Sequence, residues 1–152
     1  TNLAAFMSLI AVYNHTGRDD IDGLAGLSKR QPLVALVLVS SMFSLAGLPV
    51  FAGFASKFYL FNAVGAQGLL WLVALAILSS LISLYYYLMV ARQVYIGEIN
   101  DQSLIIVPKT TKVLLLGLLI LMVVGGIYPA PLMEAIQSAT DAIISGELVR
   151  LV

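Results

Sequence analysis

The chain has no cysteine, a single histidine (His15) and few charges: eight Lys/Arg and eight Asp/Glu, 11% of 152 residues, summing to zero. Without cysteine there is no disulfide and no cysteine-ligated iron–sulfur cluster. With one histidine there is no nucleophile–histidine–acid set spread along the chain, and no glycine-rich phosphate loop is present, so a self-contained hydrolase or nucleotide enzyme is not expected. His15, in a loop, is a solvated side chain or, less simply, a proton-entry group. The balanced charge removes the basic footprint that nucleic acid requires. No cluster of metal-ligand type is spaced to bind an ion, and Asp19, Asp20 and Asp22 lack the spacing and partners of an EF-hand loop. They read as a solvated loop. The chain opens without Met and without a basic n-region, and we expect it to be the C-terminal part of a longer protein.

What it has instead is apolar sequence. Hydrophobic residues make up 61% of the chain, and mean hydropathy is +1.00. Soluble domains carry about 25% charged residues. The expected class is all-α, a polytopic transmembrane helix bundle in a single domain.

Residues 33–64 organise the chain. They hold one charge, Lys57, in 32 residues. A straight helix of that length would run roughly 48 Å, whereas the hydrocarbon core of a bilayer is about 30 Å thick. The stretch is too long for one plain span and too continuous for two spans with a wet loop. Gly47, Pro49 and Gly53 lie within seven residues at its middle. Proline removes a backbone donor and clashes with the preceding turn, and glycine weakens a helix further. The expectation is one discontinuous helix, half-helices at about 33–46 and 51–64 joined by an unwound link. Broken backbone at membrane depth is tolerated only under cover of protein or beside a hydrated cavity, and such breaks mark ion sites in transporters. An ionisable residue next to one is a functional hypothesis by default. The bland alternative is that Lys57 snorkels to the interface.

The other helices are expected at about 3–14, 69–96 and 113–128, with a weaker amphipathic tail over 132–152. Residues 3–14 are too short to span alone. A polar loop carrying Asp19 to Arg30 follows, and Pro32 suits the first turn of the next helix. GAQG at 65–68 is a tight turn. Trp71 and Tyr95 mark the two ends of the long helix, as in aromatic belts. Pro129 and Pro131 end the last span. In the tail, Glu134, Asp141 and Glu147 are most simply surface residues.

Two spans separate the longer loops, which places both on one face. That face carries Arg18, Lys29, Arg30, Arg92, Lys109 and Lys112, against Arg150 alone opposite. By the positive-inside rule the loop face is cytoplasmic, or the equivalent side of an organelle inner membrane. The GAQG turn and the C-terminus then lie on the outer side. Two hydroxyl clusters, Ser40, Ser41 and Ser44 in the first half-helix and Ser79, Ser80 and Ser83 in the long helix, either line a hydrated path to Lys57 or serve helix packing through small residues. Gly125 and Gly126 are read as helix packing.

SLAGLPVFAGFASKFYLF at 44–61 resembles the broken proton-channel helix of the antiporter-like membrane subunits of respiratory complex I. The approach IDGLAGLSKRQP, the opening TNLAAF and SSLISLYYYLMVARQVY resemble the subunit N (mitochondrial subunit 2) branch of that family. The resemblance implies a protein of about fourteen helices, of which these would be the last ones. It implies that Lys57 is the lysine of a half-channel whose other ionisable residues lie on earlier helices. It implies a proton-translocating subunit of NADH:quinone oxidoreductase in a bacterial plasma membrane or organelle inner membrane, among other membrane subunits and the lipid bilayer. Quinone would be the substrate of the complex, and NADH, flavin and iron–sulfur clusters would belong to other subunits, with no cofactor in this chain. A cation/proton antiporter subunit or a membrane-bound hydrogenase subunit of the same superfamily is the alternative, and an inert membrane scaffold a third.

Overall fold

A computed structural model describes residues 1–98 and 104–144. The tail residues Glu147 and Arg150, and the centre of the loop after the long helix, fall outside these. Helices are α1 (Asn2–Thr16), α2 (Leu27–Arg30), α3 (Pro32–Ala46), α4 (Ala52–Ala66), α5 (Leu70–Ile96), α6 (Lys109–Ile127) and α7 (Ala130–Ile144), with a 3-10 turn at Ile21–Leu24. No strand occurs among the described residues. The architecture is an all-helical bundle.

α3 is its centre. Its flanks pack on α1, α5 and α6, and Val34, Ala35, Val37 and Leu38 are wholly buried. Pro32 stands in the first turn of α3, where its missing donor costs nothing. α4 has no buried residue. α5 and α6 are long and apolar enough to cross a membrane; α3 is apolar but shorter. At 27 residues, α5 runs about 40 Å. Its Trp71 and Tyr95 are exposed near opposite ends.

Three local expectations are corrected. The loop before α3 is more ordered than its charges suggest. Asp20 accepts from Gly23 N–H at 3.2 Å and so caps the 3-10 turn. Asp22 accepts from Gln93 Nε2 at 3.3 Å, and Gly26 N–H donates to Gln93 O at 3.1 Å. Gln31 Nε2 reaches Ile105 O at 3.0 Å, and Arg30 is buried. These bonds tie both long loops to one end of the bundle. Also, Pro131 does not end a helix. It lies in the first turn of α7, where proline is tolerated. α6 likewise begins at Lys109, after Pro108 as N-cap, rather than at the first apolar residue.

Candidate functional site

The site forms where α3 stops. Gly47 adopts φ +87° and closes α3 in a left-handed cap. Gly47 N–H donates to Phe43 O and Ser44 O at 3.1 and 3.0 Å, and Leu48 N–H to Phe43 O at 3.0 Å. This 6→1 pattern satisfies the first two of the last four helix carbonyls. Leu45 O and Ala46 O remain. Lys57 Nζ takes both, at 2.9 Å and 3.1 Å. Its third donor goes to Ser80 Oγ at 3.1 Å. An ammonium has three donors and no acceptor, so Lys57 is fully used. The negative end of the α3 dipole faces the cation, a favourable pairing.

The other side of the break is capped from α3. Gly53, in the first turn of α4, donates its N–H to Ser44 Oγ at 3.1 Å. Ser44 Oγ is also 3.0 Å from Thr1 Oγ1. The half-helices therefore cap one another: Lys57 of α4 covers carbonyls of α3, and Ser44 of α3 covers a donor of α4. Both glycines are needed for this approach. A Cβ on Gly53 would land on Ser44 O, and one on Gly47 would stand 2.9 Å from Lys57 Cδ. Between them, residues 47–51 are not helical. Val50 has φ +84°, strained for a β-branched residue.

The Lys57 ammonium opens on a cleft of about 300 Å³ walled by Phe54, Phe58, Phe61, Ile77, Leu81 and Leu84, with Ser80 at its edge. Among the residues lining it, Lys57 is the one charge.

Of the six serines singled out by sequence, Ser80 bonds to Lys57 and Ser44 holds the break. Ser41 is buried and donates to Val37 O at 2.7 Å. Ser40 is buried, and Ser83 donates to Ser79 O at 3.0 Å. Two of the six thus serve the break and its lysine, and the Ser41 and Ser83 hydroxyls bond to their own helix backbones. His15 is exposed and lines a different cleft, with Asn14, Pro108 and Thr111. Glu134 is exposed on α7. Sequence reasoning did not find the two carbonyls under Lys57. The available signal was Gly47: a left-handed cap in apolar surroundings leaves two carbonyls without donors, and Lys57 is the one charged donor in reach.

Comparison with known proteins matches residues 1–83 to the family described as NADH:quinone oxidoreductase/Mrp antiporter, TM. The chain is 45% identical to NADH-quinone oxidoreductase subunit N of Moorella thermoacetica, over 86% of this chain and 28% of that protein. It is 39% identical to subunit N of Desulfitobacterium hafniense, over 94% of this chain and 29% of that protein. The chain thus spans less than a third of the curated relatives it matches. A chain in the structure of the membrane-bound sulfane sulfur reductase, an archaeal respiratory membrane complex, superposes with a TM-score of 0.80 at 30% identity, covering 90% of this chain and 28% of that one. The matched family segment covers more than half of this chain and contains the whole break with Lys57 and Ser80, and the chain belongs to the NADH:quinone oxidoreductase/Mrp antiporter transmembrane family.

Proposed function

We propose that this chain is part of a proton-translocating membrane subunit of a NADH:quinone oxidoreductase, in which Lys57 takes up and releases a proton at the break between α3 and α4. The observation that carries the proposal is the pairing of Lys57 Nζ with Leu45 O and Ala46 O. It sets an exchangeable proton on the end of an interrupted helix, beside an apolar cleft.

α3 and α4 are 15 residues each, about 22 Å apiece. Neither spans a bilayer alone, and together they form one discontinuous span. Charge-assisted bonds hold the ammonium form. When the amine is neutral it keeps two N–H donors and gains a lone pair, so the bonds to the α3 carbonyls lose their charge assistance and weaken, and the lysine turns more readily toward a charge or water in the cleft. Ser80 Oγ, already at hydrogen-bond distance, is the first group through which a proton could pass. Of the six serines Ser80 is the one that lines the cleft, so the proposed path starts there. The relatives are named as subunits of NADH-quinone oxidoreductases, which supports a place for this chain among other membrane subunits; in the proposed setting it lies in the lipid bilayer, and NADH, flavin, iron–sulfur clusters and quinone belong to other subunits. The basic loop end faces the cytoplasm and the C-terminus the outside.

A second reading has one specific support. The likeness to a sulfane sulfur reductase complex is consistent with the same proton module serving a different electron acceptor. The lysine and the break do not separate these readings; the redox subunits do.

The test is Lys57→Ala in the full-length subunit, assembled in its complex in sealed vesicles. Proton pumping and the coupled quinone reduction should both fall sharply while assembly persists. Wild-type pumping by the assembled variant would contradict the proposal.

A further inference from the structure

Helix α6 touches the break by its backbone. Gly126 lies so close to the link that a Cβ there would land on Val50 O and on the Phe51 carbonyl carbon, and within 2.6 Å of Phe51 Cα. Its neighbour Gly125 has room, with Ala52 Cβ 3.4 Å from its own hypothetical Cβ, and Gly117 on the same helix meets nothing within 4 Å. The crowding is therefore local to Gly126. It falls on backbone atoms, which no rotamer change can move aside. The link pressed by Gly126 is also the strained one, with Val50 at φ +84°. Strain of this kind persists only where the surroundings over-determine the conformation. On the other side of the link, the Gly47 cap aims Leu45 O and Ala46 O at Lys57 Nζ.

We infer that Gly126 is a positioning residue for Lys57: its missing side chain lets α6 hold the Val50–Phe51 link in place, and the link in turn holds the α3 carbonyls that receive the ammonium. The inference rests on the relay role of Lys57 proposed above. It goes beyond helix packing, because it names which backbone the glycine serves and what that backbone does. The charged and polar groups facing Nζ are Leu45 O and Ala46 O from α3 and Ser80 Oγ from α5; from α6 the contact is to the link itself.

The experiment uses the full-length subunit in its assembled complex in sealed vesicles, reading proton pumping per electron across pH. Gly126→Ala should assemble and move the pH profile by about one unit, the scale expected when a charge-assisted hydrogen bond is lost. Gly117→Ala should keep the wild-type profile. A wild-type profile in assembled Gly126→Ala overturns the inference. If Gly126→Ala does not assemble, Val50→Gly is added, since glycine lets the link retreat without strain. Assembly restored with a shifted profile supports the inference. Restored assembly with a wild-type profile, or no restoration, overturns it. Lys57→Arg in the same vesicles separates the two claims. If it pumps as wild type, the relay role fails whatever Gly126 does, and a shifted Gly126→Ala profile beside it overturns the connection to Lys57. If it fails to pump while Gly126→Ala is wild type, only the positioning role falls.

Discussion

Three donors and three acceptors meet at Lys57 Nζ, and two of the acceptors are main-chain carbonyls. That division explains what was legible. A lysine alone in an apolar stretch is visible in the sequence; backbone oxygens have no letter, and their partnership with Lys57 depends on how the chain folds back at Gly47. It also sets the balance for Lys57→Ala. Placing an ammonium at a helix centre costs about 2.5–3.5 kcal/mol on insertion scales. Removing it leaves two carbonyls without a donor, at about 1–3 kcal/mol for a buried unsatisfied group. The terms oppose one another at similar size, and the site is open to its cleft, so assembly should survive. Ser44 makes a different prediction. Ser44→Ala removes the acceptor for Gly53 N–H and should destabilise the break by about 1 kcal/mol, the usual value of a lost N-cap. Thermal unfolding of the detergent-solubilised subunit, with Ser138→Ala on exposed α7 as control, measures it. An unchanged midpoint would show that the cross-cap adds no stability.

At the scale of elements, the interruption was readable because Gly47, Pro49 and Gly53 fall together in a run too long for one span. The folded loop before α3 was not. Its acids carry no periodicity, and their partners, Gln93 and a local N–H, lie far along the sequence or in the backbone. The loop supplies a pH prediction. The Arg18 guanidinium, bonded to Asp20, holds the Asp20 carboxyl below its ordinary 3.8. The folded loop thus favours the carboxylate. Its contribution is fully present above the unfolded value and is lost as pH falls through the lower folded one. Hydrogen-exchange protection at Gly23, the N–H that Asp20 caps, should be constant from neutral pH down to about pH 4 and fall below it. Gly23 N–H also donates to Asp20 O at 3.1 Å, so Asp20→Ala should lower that protection to what the backbone bond alone gives and remove its fall below about pH 4. Wild-type protection with an unchanged pH profile in the variant would show that the side-chain cap does not order the loop.

At the scale of the molecule, the bundle was legible as apolar helices, and its centre was not. Composition marks residues 33–64 as one unit, yet α3 is enclosed by three helices while α4 has no buried residue. The difference comes from which neighbours each half meets, and no periodicity in either half records that. The loop ends joined by Gln31 and Gln93 give the topology a direct test. A cysteine placed in the turn containing Gln67 should react with an impermeant thiol reagent in intact cells, and one replacing Lys29 should react only after permeabilisation. The reverse pattern would invert the orientation.

The central claim is that Lys57 gives up its proton in each cycle, and arginine is the sharpest probe of it. A guanidinium can donate to the same carbonyls and keep the α3 end capped, but it does not release its proton in the working range. If Lys57 serves only to cap the broken helix, Lys57→Arg should assemble and pump normally. If Lys57 is a relay, the variant should assemble and lose most proton pumping, with quinone reduction slowed alongside it. Pumping and electron transfer, measured together in sealed vesicles holding equal amounts of assembled wild-type and Lys57→Arg complex, decide between them: strongly impaired pumping is the predicted result, and wild-type pumping would contradict the account.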